Sequence, residues 1–459
     1  MRILFATAEV DPFSKVGGLA DVAASLPRRL MEMGHDVRIV APRHRASMEA
    51  HAASTTHRAY TVAVPGHPRD IDVGVAEGYG GVPVYLVADS HYFGEREVYG
   101  EPDDLLRYQF FCRAIIEMLK QDDWVPDILH LNDWHTAPLA FALRNLAWAN
   151  PKLRGVASVF TIHNLRYRGP DELNDFLSQA IYYSDVVTTV SPSYAREILT
   201  QDYGEGLEPL LQLRGDTLIG ILNGVNYDIF NPRTDALIAH QYDLSTLEVR
   251  LRNRAVLRRQ LSLPETDGPL LGMVTRLTEQ KGVDLVLQAM PEILSARAQL
   301  VVLGDGDKWL KDELTRVQAE YPGNVHLAAR HDAGLAQRIY AGVDMFLMPS
   351  RYEPCGLGQI IAMRYGAVPI GRRTGGLGDT ILDADDNPEG GTGFLFDEFS
   401  SFGLVSALDR ATRAFRDPEA WLRVQTNGMS RDYSWRASAT HYVEAYTAAL
   451  RARGIVPRE

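Results

Sequence analysis

Three stretches of this chain put cations and glycines where an apolar run gives way to a helical pattern. The first is RILFATAEVDPFSKVGGLADVAASL, residues 2–26. Its apolar run ends in small residues, a polar loop carries Lys15, Gly17 and Gly18, and a helical pattern follows. Adjacent glycines allow positive φ and close backbone approach. Free N–H groups at a helix start hold anionic oxygen, and Lys15 adds a mobile positive charge. The set suits a phosphate group, although GG also serves as a bare tight turn. Its spacing is neither Walker A nor the dinucleotide fingerprint. The second stretch, GMVTRLTEQKGVD (272–284), flanks a turn with Arg276 and Lys281. Together with Lys15 these cations suit a diphosphate leaving group, on which negative charge grows as its bond breaks. Loop cations are equally common as solvated surface charge. The third, MPSRYEPCGLGQIIAMRYGAVPIG (348–371), carries Glu353, Pro354, Cys355 and Gly356 ahead of a helix. A carboxylate there can accept sugar hydroxyls, and the amides after it can hold phosphate. Glu353 as a simple helix cap is the plainer alternative. Cys355 has no clear base partner and reads as a packed small residue.

Two further stretches are rich in polar groups: HLNDWHTAPLA (130–140) and TIHNLRYRG (161–169). They gather Asp133, Trp134, His135 and His163. An aromatic beside a carboxylate suits a sugar ring, stacked on one face and hydrogen-bonded at the edge. The His and Asp spacing matches no standard zinc pattern, and a lone His163 also fits a satisfied structural histidine. GRRTGGLGDT (371–380) echoes the opening GGLAD, so two glycine turns could grip one ligand. The DAD of 383–385 lies in a polar, turn-rich stretch and reads as a solvated loop.

The elements that must position these residues follow from hydrophobic periodicity. RILFATA, VRIVAP, VPVYLVA, DILHLND, ASVFTIH and DVVTTVS read as buried strands, with helices such as LADVAASLPRRLMEMG between them. In that helix Leu19, Val22, Ala23, Leu26 and Leu30 share one face, and Pro27 is a candidate kink. PLLGMVT, AQLVVLG, NVHLAA, VDMFLMPS and GAVPIG repeat the style. Strand–helix alternation means parallel sheets with right-handed crossovers. The rhythm breaks at ILNGVNYDIFNPRTD (221–235), which places a first domain at 1–235 and a second at 236–434. A charged helix (246–262) follows the break, and a last helix (435–452) in the terminal segment 435–459 is free to pack back on the first domain. The fold class is α/β, two doubly wound Rossmann-like domains facing across a cleft, with ligands outside the carboxyl ends of the strands.

The chain has 459 residues, 46% of them apolar, a formal net charge of −12 and two cysteines. That size calls for more than one core. The mixed, acidic balance argues against bulk nucleic-acid binding but not against a local basic pocket. Few cysteines argue against a disulfide framework and fit a reducing cytoplasm. Glu9 and Asp11 end the first apolar run too early for a signal peptide, and no apolar stretch is long enough to span a membrane.

Taken in order, these motifs resemble the bacterial glycogen synthase and starch synthase family, retaining glucosyltransferases of the GT-B type. KVGGLADV (15–22) matches the family's KxGGLxDV, and SRYEPCGL (350–357) its SRFEPCGL. HNL, VSPSYAREI, ILNG, TRLTEQKG and TGGLGDT occur in the family's order. The resemblance covers essentially the whole chain. It implies donor binding by Lys15 and the amides of Gly17 and Gly18, with Arg276 and Lys281 neutralising the leaving nucleotide. It implies that Glu353 holds sugar hydroxyls beside Cys355, Gly356, Leu357 and Gly358, and that His163 and Asn164 line the sugar pocket. Asn223 of ILNG and His331, where the family often stacks an aromatic on the base, join the donor set. Lys15, His163, Arg276, Lys281 and Glu353 form the implied catalytic group. Glu9, Tyr99, Asp133 and Trp134 fall where the family meets its acceptor glucan. The implied partners are ADP-glucose and an α-1,4-glucan, with no cofactor and no metal. The chain departs from the family in a short 164–188 stretch, in Arg168 of YRG, in Asn226 where aspartate is common, and in Gly358 where threonine is frequent. UDP-glucose or a small acceptor is the alternative within the scaffold. A non-catalytic glucan binder is disfavoured by the full cation set. A nicotinamide enzyme has only the partial GxG of GDGDKW (304–309) behind it.

Overall fold

The computed structural model describes residues 1–45, 47, 56–63, 68–169 and 175–455. The chain divides into two compact units, Met1–Asn223 with Trp435–Glu459, and Gly224–Ser434. The division falls earlier than residue 235. Residues 224–235 hydrogen-bond into the second unit: Val225 N–H donates to the Tyr433 carbonyl at 2.8 Å, and Tyr365 Oη to Asp235 at 2.6 Å.

In unit 1 the strands are β1 (Arg2–Ala6), β2 (Asp36–Pro42), β3 (Thr56–Val62), β4 (Arg69–Glu77), β5 (Pro83–Ala88), β6 (Ile128–Asn132), β7 (Ala157–Ile162), β8 (Val186–Thr189) and β9 (Leu218–Gly220). They form one sheet in the order β3-β4-β5-β2-β1-β6-β7-β8-β9. β3 and β4 pair antiparallel at one edge, and from β5 to β9 every pair is parallel. The hairpin edge has no counterpart among the expected strands. β3 is largely exposed, so it carries no buried apolar run to betray it. Three helices bear on the site: α1 (Gly18–Glu32), α2 (Asp104–Gln121) and the single turn α3 (Asp133–Thr136). Leu19, Val22, Ala23, Leu26 and Leu30 of α1 are all buried, and α1 runs on through Pro27.

In unit 2 the strands are β10 (Leu270–Val274), β11 (Gln299–Leu303), β12 (Val325–Ala328), β13 (Met345–Met348), β14 (Val368–Arg372) and β15 (Phe394–Phe396), in the order β12-β11-β10-β13-β14-β15 and all parallel. This is the doubly wound order of a dinucleotide-type sheet. Successive residues supply two separate cores. Leu271, Met273, Leu300, Val302, Met345 and Leu347 pack on one face, and Leu270, Val301, Leu303 and Phe346 on the other. Two-sided burial is why these strands read as continuous apolar runs. The helices used below are α4 (Arg250–Gln260), α5 (Val283–Gln288), α6 (Gly358–Arg364) and α7 (Gly375–Thr380). The last helix, α8 (Trp435–Ala452), returns to unit 1. Trp435, Ala439, Tyr442 and Tyr446 join the core beneath β1, β6 and β7, and His130 Nδ1 lies 2.8 Å from Tyr446 Oη.

Candidate active site

In each sheet the chain reverses its direction of winding beside the first strand: between β1 and β6 in unit 1, and between β10 and β13 in unit 2. Loops leaving the carboxyl ends of the two strands at such a switch point part and leave room for a ligand. The residues singled out above concentrate at these two places.

In unit 1, β1 leads to Glu9 and the Lys15–Gly18 loop, and β6 leads directly to Asp133 and Trp134. The Glu9 carboxylate accepts the N–H groups of Val16 at 2.5 Å and Gly17 at 3.0 Å. The resemblance puts the Gly17 amide on a diphosphate and Glu9 at the acceptor; here the two satisfy each other, and Glu9 latches the glycine loop. Burial raises the Glu9 carboxyl above its ordinary value, against the opposing effect of these amides and of Tyr99. Gly18 opens α1 with open space where a side chain would stand. Lys15 Nζ lies 2.5 Å from Asp21 and 3.4 Å from Asp11. Burial pulls its pKa down, but the bonds and charges of Asp21 and Asp11 outweigh it and the net shift is upward.

Asp133 sits at φ 53°, in the left-handed region. This backbone turns its carboxylate back to accept the His163 N–H at 2.8 Å. Burial, joined by the charge of Glu9 and opposed by the amides of His163 and Asn164, pushes the Asp133 carboxyl up to about 7. Burial pushes the neighbouring His163 imidazole down to about 4. His163 Nε2 lies 2.9 Å from Asn132 Oδ1, which fixes the ring. Trp134 is buried against Tyr108 and His135, and Tyr99 packs its ring on His135 at 4.8 Å. The substitution at Arg168 has a local reason: its guanidinium pairs with Asp175 and donates to the Glu205 carbonyl at 2.7 Å. The shortened 164–188 stretch lies partly outside the described residues, which omit 170–174. Asn223, the last residue of unit 1's first segment, is buried with its side-chain oxygen unpartnered among the described residues.

In unit 2, β10 leads to Arg276 and Lys281, and β13 leads to Ser350 and Glu353. Lys281 Nζ lies 2.6 Å from Glu353 Oε2, which also accepts Ser350 Oγ at 3.0 Å. Both partners of the ion pair are largely buried, at 15% and 7% side-chain exposure, so the pair is held rather than solvated. Gln280 ties the two loops together: its carbonyl accepts the Arg351 N–H at 2.8 Å. Gly282 sits at φ +68°, and a Cβ there would meet the Pro349 carbonyl at 2.0 Å, so only glycine lets the Lys281 loop lie against the loop after β13.

The second glycine motif works in the same way. A Cβ on Gly375 would meet the Glu353 carbonyl oxygen at 2.1 Å, and one on Gly376 the Cys355 oxygen at 1.9 Å. The Gly376 N–H donates to the Glu353 carbonyl at 3.1 Å. TGGLGD therefore props the Glu353 loop. Cys355 is buried, and its carbonyl and that of Gly356 accept Gln359 at 3.1 and 2.9 Å. Leu357 precedes α6, and Gly358 opens it where a Cβ would press on Phe346 at 3.0 Å and Met348 Sδ at 3.2 Å. Those two bulky residues fill the space a threonine would need. His331 is exposed just after β12, at the carboxyl edge of the sheet.

The DAD stretch departs from expectation. Asp383 is buried, accepts Arg410 Nη1 at 3.0 and 3.1 Å, and takes the Leu395 N–H at 2.6 Å; Asp385 accepts the same arginine at 2.9 Å. A buried carboxylate needs such partners; Arg410 and Leu395 are remote in sequence, and the Asp385 N–H adds a local bond at 3.0 Å. Sequence reasoning also missed Ser350, Asp21 and Asn132, although each adjoins or lies within a motif already quoted. Among the described residues no group of three or more His, Cys, Asp or Glu could hold a metal ion, and no helix is long and apolar enough to cross a membrane.

A starch synthase catalytic domain model matches residues 2–213, and a glycosyl transferases group 1 model matches residues 268–413. The glycogen synthase of Desulforudis audaxviator is 40% identical, over 98% of this chain and 97% of its own length. That of Thermotoga petrophila is 41% identical, over 98% and 99%. The solved catalytic domain of starch synthase IV from Arabidopsis thaliana, bound to ADP and acarbose, has a TM-score of 0.88 at 35% identity and covers 98% of this chain and 99% of its own. A sucrose-phosphate synthase from Thermosynechococcus elongatus shares the fold at a TM-score of 0.64 and 20% identity. With these relatives and two doubly wound units whose switch points carry the motif residues, the chain is a glycosyltransferase and belongs to the glycogen synthase and starch synthase family.

Proposed function

We propose that the protein transfers glucose from ADP-glucose, with retention, to the 4-hydroxyl at the non-reducing end of an α-1,4-glucan. The observation that carries this reading is the Lys281–Glu353–Ser350 group at the unit 2 switch point, in a chain so similar to a starch synthase solved with ADP. Arg276 and Lys281 take the diphosphate. Cations placed before the reaction stabilise the charge that develops as the sugar–phosphate bond breaks. Donor binding draws Lys281 toward phosphate and releases Glu353 to sugar hydroxyls. His331 faces the base, and Cys355, Gly356, Leu357 and Gly358 shape the floor.

In unit 1, Lys15 and Gly18 serve the donor once phosphate displaces Asp21 and Asp11 from the ammonium. His163, Asn164 and Asn223 line the sugar. Glu9, Tyr99, Asp133 and Trp134 form the acceptor side, where Glu9 acts by holding the loop. The transition state has oxocarbenium character, and the departing phosphate takes the acceptor's proton. A cytoplasmic location follows from a soluble donor.

The test is nucleotide release and polymer labelling with ADP-glucose and UDP-glucose separately, each with and without glycogen. Glycogen-dependent labelling from ADP-glucose alone is the expected result. Labelling from UDP-glucose alone would reassign the donor, and turnover without labelled polymer would reassign the acceptor.

A further inference from the structure

At the other end of the unit 2 sheet lies a cavity of about 440 Å³, lined by Arg254, Arg258 and Arg297 together with Glu265, Thr266 and Asp267. Residues 264–268 run into the amino end of β10, and Arg297 stands just before β11. The cavity therefore opens at the strand ends opposite the Arg276–Lys281 loop. We infer that it is a binding site for a phosphate-bearing small molecule, separate from the donor site.

The charge is concentrated: Arg254, Arg258 and Arg297 line the cavity with Glu265 and Asp267, while Asp344 takes Arg254. α4 reads RLRNRAVLRRQ, with no acidic residue, in a chain of net charge −12. Arg258 is 4% exposed and forms no ion pair among the described residues. Its donors go to neutral oxygens: Gln299 Oε1 at 2.8 Å, and the carbonyls of Thr266 at 3.1 Å and Gly268 at 2.9 Å. A guanidinium has more N–H groups than these acceptors use. A buried cation hydrogen-bonded only to neutral groups is costly; burial and the charge of Arg254 lower its pKa, and the carboxylates of Asp344 and Glu265 offset this only in part. An anion in the cavity relieves that cost. Arg254 is held beside it, 3.1 Å from both oxygens of Asp344.

Arg297 is the independent observation. It sits at φ 58°, at the end of a short helix (Met290–Ser295), where the Ala298 N–H closes on the Ile293 carbonyl at 3.2 Å. Glycine is the low-strain residue in that position. Here it is an exposed arginine with no ion pair among the described residues, and its carbonyl is so close to Gly268 that a Cβ there would meet it at 1.9 Å. The strained residue and the buried Arg258 line the same cavity. Guanidinium forks match phosphate oxygens, and the volume exceeds what phosphate alone would fill, leaving room for a sugar-sized body. Glu265 and Asp267, both exposed, are the rim charges that such a ligand must approach.

Pyrophosphate is the probe, titrated calorimetrically into the full chain at constant ionic strength. Arg297→Gly removes the guanidinium while suiting the backbone, so it keeps the fold; Lys281→Ala disables the donor site; Glu265→Gln with Asp267→Asn lowers the rim charge. The inference requires that pyrophosphate still bind the Lys281→Ala chain, at least tenfold more weakly when Arg297→Gly is added, and more tightly when the rim pair is neutralised. Absence of binding to Lys281→Ala at millimolar concentration, or equal binding with and without Arg297, overturns it.

Discussion

Asp133 and His163 are bonded neighbours that burial drives in opposite directions. The Asp133 carboxyl, near 7 when folded against an ordinary 3.8, binds its proton more tightly in the folded chain. The stability it contributes is whole below about 4 and is lost as pH rises through about 7. His163 falls to about 4 from 6.5, so its contribution is whole above about 6.5 and is lost as pH falls through about 4. Chemical denaturation between pH 4 and 8 should therefore show Asp133→Asn removing part of the decline in stability toward high pH, with the difference between variant and parent growing across pH 4–7. A parallel pair of curves would contradict the assignment. At Lys281 and Glu353 the prediction is kinetic. Lys281→Ala or Glu353→Ala should lower kcat/KM by about 100-fold or more, with circular dichroism unchanged. Lys15, Lys281 and Glu353 are legible in the sequence because each sits in a glycine-bearing loop between an apolar run and a helical pattern, a local signal that neighbouring residues carry. Ser350, Asp21 and Asn132 are not, because a polar residue's role is its partner, and the partner is a matter of folding.

The elements show why motifs of one residue type do different work. KVGGLADV and TGGLGDT look alike, yet Gly18 opens onto free space, whereas Gly375 and Gly376 press on the carbonyls of Glu353 and Cys355. Gly376→Ala should push the Glu353 loop from its place, costing roughly 2 kcal/mol or more and raising the donor KM. Thermal melting and initial rates check both. Gly18→Ala meets no such contact and should leave the melting temperature nearly unchanged, so the two variants separate propping from ligand contact. The charged helix α4 carries a similar lesson. Its composition suggests a solvated face, but Arg250 and Arg258 are buried and donate to carbonyls of Tyr365 and Gly268. Composition reports charge, and only packing reports where the charge points.

For the whole molecule, two units with separate cores should unfold in more than one calorimetric transition. Trp435 is 3% exposed within the unit 1 core, so Trp435→Ala should cost about 3–5 kcal/mol and depress the transition of unit 1. ADP should raise that of unit 2. A single transition moved equally by both would show that the units do not melt independently. The succession of strands and helices along the chain, helix faces such as that of α1, and the loops bearing Lys15, Lys281 and Glu353 were readable from the chain alone. Local periodicity and turn chemistry repeat within a few residues, so they leave a mark on neighbouring positions. The exposed β3–β4 edge, the return of α8 beneath β6, the latch of Glu9 on Gly17, the burial of Asp383 and the gathering of Arg254, Arg258 and Arg297 around one cavity were decided by the tertiary structure. Each joins residues remote in sequence or depends on which face is buried, and contacts of that kind take their energy from packing and desolvation, which no local pattern encodes.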